Sequence, residues 1–271
     1  MHISSGAAAL AYAVILGHRE DQENKPHSMV SVVLGTCFIW FGWFGFNGGS
    51  ALAGSLRAIM ACVVTNLAAC AGGITWVLLD YRAERKYSAL GFCTGAVAAL
   101  VCITPASGYV SPASSLVFGV AGSVCCNLAL NLKHWLHYDD ALDVFAVHGV
   151  GGITGNILTG VFAQKWVAAL DGQEILGGGL DGHWYQIVYQ LIDTAAGLTW
   201  SFFVTFCILY IMNKIPGLSL RVKIEKERAG LDQAELGANC YEYIEEKIIA
   251  SRAGSKADII EEVKQIESSR L

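Results

Sequence analysis

Two histidines open matching motifs inside strongly apolar stretches, His2-Ile3-Ser4-Ser5-Gly6 and His148-Gly149-Val150-Gly151-Gly152. An ionisable side chain within a membrane-spanning helix is costly, so each is a candidate functional residue. A neutral imidazole carries one donor and one acceptor nitrogen. Two of them facing each other across a pore can share a proton and aim the remaining nitrogens at a passing solute. Such a pair suits accepting a hydrogen bond from a small polar molecule, or relaying its proton. Other chemistry is poorly supported. Asp143 and His148 are not at the i, i+4 spacing that suits two metal ligands, and no His-Glu-x-x-His occurs. A Gly-x-Ser-x-Gly nucleophile motif is also missing. No metal, no cofactor and no enzymatic activity are expected.

Two neighbouring stretches add to the candidate site. Ile39, Trp43, Phe46 and Ser50 fall three or four residues apart, which puts them on one helical stripe. Aromatic faces attract cations, so a stripe ending in a hydroxyl could guide a small cation. The plainer reading is a row of aromatics at a membrane interface or lipid face. Val144 and His148 share a helical face, with Asp143 near the same side. One of Asp139, Asp140 and Asp143 is expected to cap the helix start, where a carboxylate is favoured.

The elements that carry these residues follow from composition. The chain of 271 residues is 54% hydrophobic and 15% charged. Soluble domains carry about a quarter charged residues, so the deficit points to an all-α integral membrane protein. The net charge of −5 is segregated into short loops and a tail. With no basic patch, nucleic acid is not an expected partner. The nine cysteines form no CxxC pair and read as small apolar free thiols.

About 20 apolar residues cross a bilayer. Seven candidate spans run approximately 3–17, 29–48, 52–80, 88–104, 112–132, 143–162 and 185–213. The first is short and begins almost at residue 1, so the protein is expected to extend upstream, this chain being a fragment or carrying a misplaced start. No positive segment precedes that run, which would then act as its own membrane signal. Arg19, Lys25, Arg82, Arg85, Lys86 and Lys133 lie in one set of loops, against Arg57 and Lys165 in the other. Positive loops face the cytoplasm, and so therefore should the C-terminus. Residues 1–213 are read as the transmembrane domain and 214–271 as a cytoplasmic tail. Gly151 and Gly155 form a GxxxG, with Gly149 and Gly152 adding to a small face for helix packing. In the tail, Ile259, Val263 and Ile266 suggest an amphipathic helix or a loosely ordered segment.

Four stretches together resemble the ammonium transporter (Amt/Mep/Rh) family. They are His2-Ile3-Ser4-Ser5-Gly6, Trp43-Phe44-Gly45-Phe46-Asn47-Gly48-Gly49-Ser50, Ile103-Thr104-Pro105-Ala106-Ser107-Gly108-Tyr109-Val110 and Asp143-Val144-Phe145-Ala146-Val147-His148-Gly149-Val150. The resemblance reaches to about Tyr241 and is greatest to fungal permeases. It implies an eleven-helix fold of inverted repeats, of which about seven helices, the fifth to the eleventh, would be present here. It further implies a homotrimer in the plasma membrane, carrying ammonium or ammonia, with methylammonium as an analogue. His2 and His148 match the family's twin pore histidines, Phe46 an inner gate phenylalanine and Ser50 the external recruitment hydroxyl. Ile39, Trp43, Thr104 and Val144 match pore-lining positions, and Asp143 a supporting acid. The family's first half, with its outer gate phenylalanine, recruitment tryptophan and buried aspartate, has no counterpart in this chain. The segment Glu227-Arg228-Ala229-Gly230-Leu231-Asp232 and Gly237 resemble a regulatory tail, where a kinase or another regulator could act, with Ser251 and Ser255 as candidates. The rival readings are an Rh-type neutral gas channel, an ammonium-sensing receptor that signals through the tail, and an inactive truncated product.

Overall fold

The computed structural model describes residues 1–20 and 26–237. Lys25, Ser251, Ser255, Ile259, Val263 and Ile266 lie outside the described residues. Among the described residues seven apolar helices are present: α1 (His2–Leu16), α2 (Met29–Gly49), α3 (Leu56–Glu84), α4 (Ala89–Ile103), α5 (Pro112–Ala129), α6 (Phe145–Phe162) and α7 (Tyr185–Met212). Six are long and apolar enough to cross a membrane, α4 when counted on through Ala106, and α1, with 15 residues and no such continuation, is shorter. At 1.5 Å per residue it is about 22 Å long. The expected seven spans are therefore six of full length and one short helix.

Local chemistry sets the helix starts. Ser28, Ser55, Ser88 and Ser111 each accept a hydrogen bond from the backbone N–H three residues on. Those donors have no partner within the helix, so a side-chain oxygen ahead of the first turn satisfies them. The cap at Ser55 corrects the expected start at Leu52. Leu52 is in the left-handed region, φ 55°, within the turn ahead of α3. Helix α3 then runs to Glu84, beyond the expected end at Asp80, and stops at left-handed Arg85. Pro105 has no N–H to continue the ladder, and α4 passes into a 3-10 turn over Thr104–Ala106.

Helices α3, α4 and α5 form the most closely packed group. Phe118, Val64, Cys102 and Ile103 fill one part of its core, and Trp76, Ala98, Val101 and Cys126 another. Small residues permit this closeness. Buried Ser123 of α5 donates its hydroxyl to Gly72 O of α3 at 2.8 Å, with Gly95 O of α4 at 3.2 Å. Helix α1 packs on α7 and on the first turns of α6. Helices α2 and α7 leave most of their apolar surface uncovered.

Ion pairs hold the ends of these helices. Arg57, buried at the start of α3, donates Nε to half-buried Asp171 at 2.5 Å. The three acids ahead of α6 have three separate tasks. Asp139 receives Arg19 in bidentate fashion, Nε and Nη2 both at 2.8 Å, and also the Arg19 N–H at 2.9 Å. Asp140 accepts from Phe145 N–H at 2.8 Å, so it caps α6. Asp143 does not cap; it sits at φ 54° and pairs with Lys133 at 2.7 Å.

Contacts divide the chain into Met1–Leu218 and Ser219–Leu271. Within the second unit a short helix, Ile224–Ala229, carries Glu227, which pairs with Arg221 at 2.9 Å.

The Arg19–Asp139 link gives a pH prediction. The Arg19 side-chain hydrogen bonds, reinforced by its backbone N–H and its charge, hold the Asp139 carboxyl below its ordinary value, against the opposing effect of burial. A depressed folded value means that the stabilisation is complete above the ordinary carboxylate pKa of about 3.9. It is lost as pH falls through the lower folded value. Asp139→Asn should therefore lower thermal stability at neutral pH, and the difference from the parent should shrink in a melting series taken to pH 2–3.

Candidate functional site

Two glycine contacts bring the histidines together. A Cβ at Gly6 of α1 would collide with the backbone N and Cα of Gly149 in α6. A Cβ at Gly152 would lie 3.0 Å from Ile3 and 3.2 Å from the His2 Cβ. Only the bare backbones allow this approach. Gly6 lies one turn after His2, and Gly149 directly follows His148. The remaining glycines of α6 serve another face: Gly151 is against Cys126 and Val101, and Gly155 is against the Cys102 backbone. One stretch of small residues thus seats α6 on both α1 and the α4–α5 pair.

Helix α6 begins as a π-helical turn over Phe145–Val150, which contains His148. The wider i→i+5 turn alters the register from which α-helical spacing is read. Asp140, five residues ahead of Phe145, satisfies the first N–H of this segment.

His2 Nδ1 and His148 Nδ1 are 3.1 Å apart, with ring centroids at 5.2 Å. A hydrogen bond between two Nδ1 atoms needs one protonated and one bare nitrogen. With both rings neutral, one is therefore the Nδ1–H tautomer and the other the Nε2–H tautomer. The pair then presents one bare Nε2 and one Nε2–H; it exchanges these roles only when the shared proton crosses while one Nε2–H proton leaves and another proton arrives at the bare Nε2. Nε2 of His2 is buried without a hydrogen-bond partner.

Aromatic groups build the rest of the wall. The His2 ring stacks on Trp43 at 5.2 Å and 17°, with Phe46 at 6.0 Å. Trp43 Nε1 donates to Thr104 Oγ1 at 2.9 Å, and that hydroxyl donates to Leu100 O at 2.7 Å. The indole is thereby fixed to α4. A cavity of about 790 Å³ is lined by His2, His148, Ile39, Trp43 and Phe46. A second, of about 290 Å³, shares His2 and Phe46 and adds Ser50, Thr104, Asn156 and Asp193. Phe46 therefore lies on the wall of both. The Ser50 hydroxyl donates to Phe46 O at 2.6 Å, which leaves its lone pairs for a ligand.

Seven of the nine residues singled out from sequence thus come together: His2, His148, Ile39, Trp43, Phe46, Ser50 and Thr104. Val144 is half-buried and lines neither cavity. Asp143 lines a different cavity, with Arg19, Lys133 and Asp139. Among the described residues no His, Cys, Asp or Glu group is suited to a metal ion. The motif reading overlooks Asp193 on α7, although the rule that singles out the histidines applies equally to a carboxylate in an apolar span.

The fold and site define a multi-pass helical membrane protein with a histidine pair in an aromatic-walled cavity. The profile described as Ammonium Transporter Family matches residues 1–241, and the chain belongs to that family. Over 248 residues it is 52% identical to ammonium transporter 1 of Schizosaccharomyces pombe, covering 90% of this chain and 50% of that protein. Ammonium transporter MEP2 of Saccharomyces cerevisiae is 46% identical over 263 residues, covering 92% of this chain and 53% of that protein. The crystal structure of Candida albicans Mep2 superposes with a TM-score of 0.79 at 49% identity, over 83% of this chain and 51% of that one. The chain spans about half the length of the curated relatives it matches.

The glycine contact is directly testable. Gly6→Val should force α1 away from Gly149 and destabilise the fold by about 1–3 kcal/mol, the usual cost of overpacking. Thermal unfolding in detergent reads the loss, and a structure of the variant should show the two Nδ1 atoms beyond hydrogen-bond distance.

Proposed function

We propose that this chain is the second half of an ammonium transporter of the plasma membrane, corresponding to helices five to eleven of the family fold. The observation that carries this reading is the His2–His148 contact at 3.1 Å, walled by Trp43 and Phe46, in a chain of this family. The protein is a transporter rather than an enzyme and works as a homotrimer. Residues 1–213 form the membrane domain, and 214–271 form a cytoplasmic regulatory tail on which a kinase or other regulator acts.

The chemistry follows from desolvation. A bare ammonium ion in a narrow apolar pore loses its hydration at large cost. The lone pairs of Ser50 and the faces of Phe46 and Trp43 replace part of that water at the outer side. Phe46 gates entry to the histidine cavity. Ammonium gives up its proton near this gate. Ammonia then passes along the histidine pair, donating to the bare Nε2, while the proton follows by the histidine-linked route. Ile39 and Thr104 shape the passage, and Asp143 supports the start of α6. Potassium is similar in size but cannot release a proton, so it is refused.

The test uses the complete gene product, including any coding sequence upstream of Met1. Leaving a buried hydrogen-bonding group without its partner costs about 1–3 kcal/mol, so His148→Ala should lower methylammonium uptake roughly five- to hundredfold and admit a potassium leak. Unchanged flux and selectivity in cells expressing this variant would remove the histidines from the mechanism.

A further inference from the structure

Helix α7 carries a carboxylate, Asp193, on the wall of the smaller cavity, the same cavity that Ser50, Phe46 and His2 line. Its only hydrogen bond among the described residues comes from Asn156 of α6, whose Nδ2 lies 3.0 Å from Asp193 Oδ2. Asn156 is buried, and its single amide nitrogen faces two further acceptors, Thr194 Oγ1 at 2.9 Å and Gln190 O at 3.1 Å. Two amide hydrogens therefore meet three acceptors. The carboxylate receives at most one neutral hydrogen bond. It also has no cationic partner among the described residues. Arg57, the one Lys or Arg side chain lining this cavity, is committed to Asp171 at 2.5 Å.

A packing role alone does not account for a charge here. Asp193 is exposed, open to this cavity; Asn, Ser or Thr at position 193 would accept the Asn156 hydrogen bond equally well without placing an ionisable group in an apolar span, where such groups are rare and functional. The four acids at helix ends treated above are paired or cap a helix: Asp139, Asp143 and Asp171 bind Arg or Lys, and Asp140 caps α6. Asp193, two turns inside α7, instead turns a carboxylate without a cationic partner among the described residues toward a cavity.

We propose that Asp193, oriented by buried Asn156, is a specificity-determining residue that supplies the fixed negative charge of a binding position for a small alkylammonium-type monovalent cation in this cavity. The reading rests on the transport function proposed above and adds an electrostatic component to a site otherwise made of a hydroxyl and aromatic rings. A carboxylate favours cations over neutral ammonia, so this position selects the protonated form before the gate.

The experiment uses Asp193→Asn, which removes the charge and keeps an oxygen for Asn156. Purified complete gene product in detergent is titrated with methylammonium chloride, at ionic strength held constant with N-methylglucamine chloride, and the rise in melting temperature is followed. Losing one unit charge at a partly solvated site should raise the half-saturating methylammonium concentration roughly three- to tenfold. Asp193→Glu should restore most of the affinity, and the ligand-free melting temperature of both variants should stay near the parent value. Equal half-saturation in the parent and Asp193→Asn overturns the proposal, as does a parent that shows no response to methylammonium. Should the Asn variant not be recovered folded, an N-methylglucamine chloride series on the parent decides. Binding that weakens with salt supports a charged site, and salt-independent binding contradicts it. Because this readout is binding, it separates the two readings. Uptake that depends on His148 with binding indifferent to Asp193 sinks only this inference, whereas absent uptake with Asp193-dependent binding sinks only the transport reading.

Discussion

The close approach of α1 and α6 at Gly6, Gly149 and Gly152 is the constraint on which the rest depends. Two helices in lipid gain little from apolar contact as such, because lipid chains are equally apolar. Backbone approach at small residues is what draws them together, and here it fixes the separation of two rings. His2 lies one turn before Gly6, and His148 directly precedes Gly149, so the same contact that packs the helices sets the 3.1 Å between the Nδ1 atoms. Trp43 then has a defined ring to stack on, and Thr104 holds the indole in place. A larger residue at position 6 would undo the sequence of contacts at its first step.

Charge is managed in the opposite manner. At the helix ends, fixed charges are paired and therefore serve the fold. The Arg57–Asp171 pair anchors the start of α3, and Arg19–Asp139 joins the exit of α1 to the approach of α6. Asp140 and Asp143 divide the remaining work between capping α6 and binding Lys133. In the interior the two histidines meet through one hydrogen bond between neutral rings rather than through an ion pair. Asp193 is the exception: it lies on the wall of the smaller cavity, which His2 and Phe46 also line.

Much of this was legible in the sequence because the informative signals are periodic or chemically out of place. Apolar runs near 20 residues marked six of the full-length helices, and a histidine in such a run has few ordinary explanations. The stripe from Ile39 to Ser50 follows α-helical spacing, and α2 is a regular helix, so the stripe survives intact. Val144 shows where helical spacing is a poorer guide. Its shared face with His148 assumes α-helical spacing, and a π-helical turn occupies that segment. The extra residue per turn leaves no local signature in composition. The acids ahead of α6 are ambiguous for another reason. Three nearby acids all satisfy the chemistry of a helix cap, and only the positions of Lys133, Arg19 and the Phe145 N–H assign them. Hydrogen-bond partners far apart in the chain, such as Asn156 with Asp193 or Arg57 with Asp171, have no spacing to read.

The most direct test of the account is electrical. Proteoliposomes containing the complete gene product are exposed to equal concentration steps of ammonium and potassium, with and without an imposed membrane potential. The account expects a current with ammonium that scales with the potential, and none with potassium. A potential-independent ammonia flux without current, or a potassium current as large as that of ammonium, would contradict it.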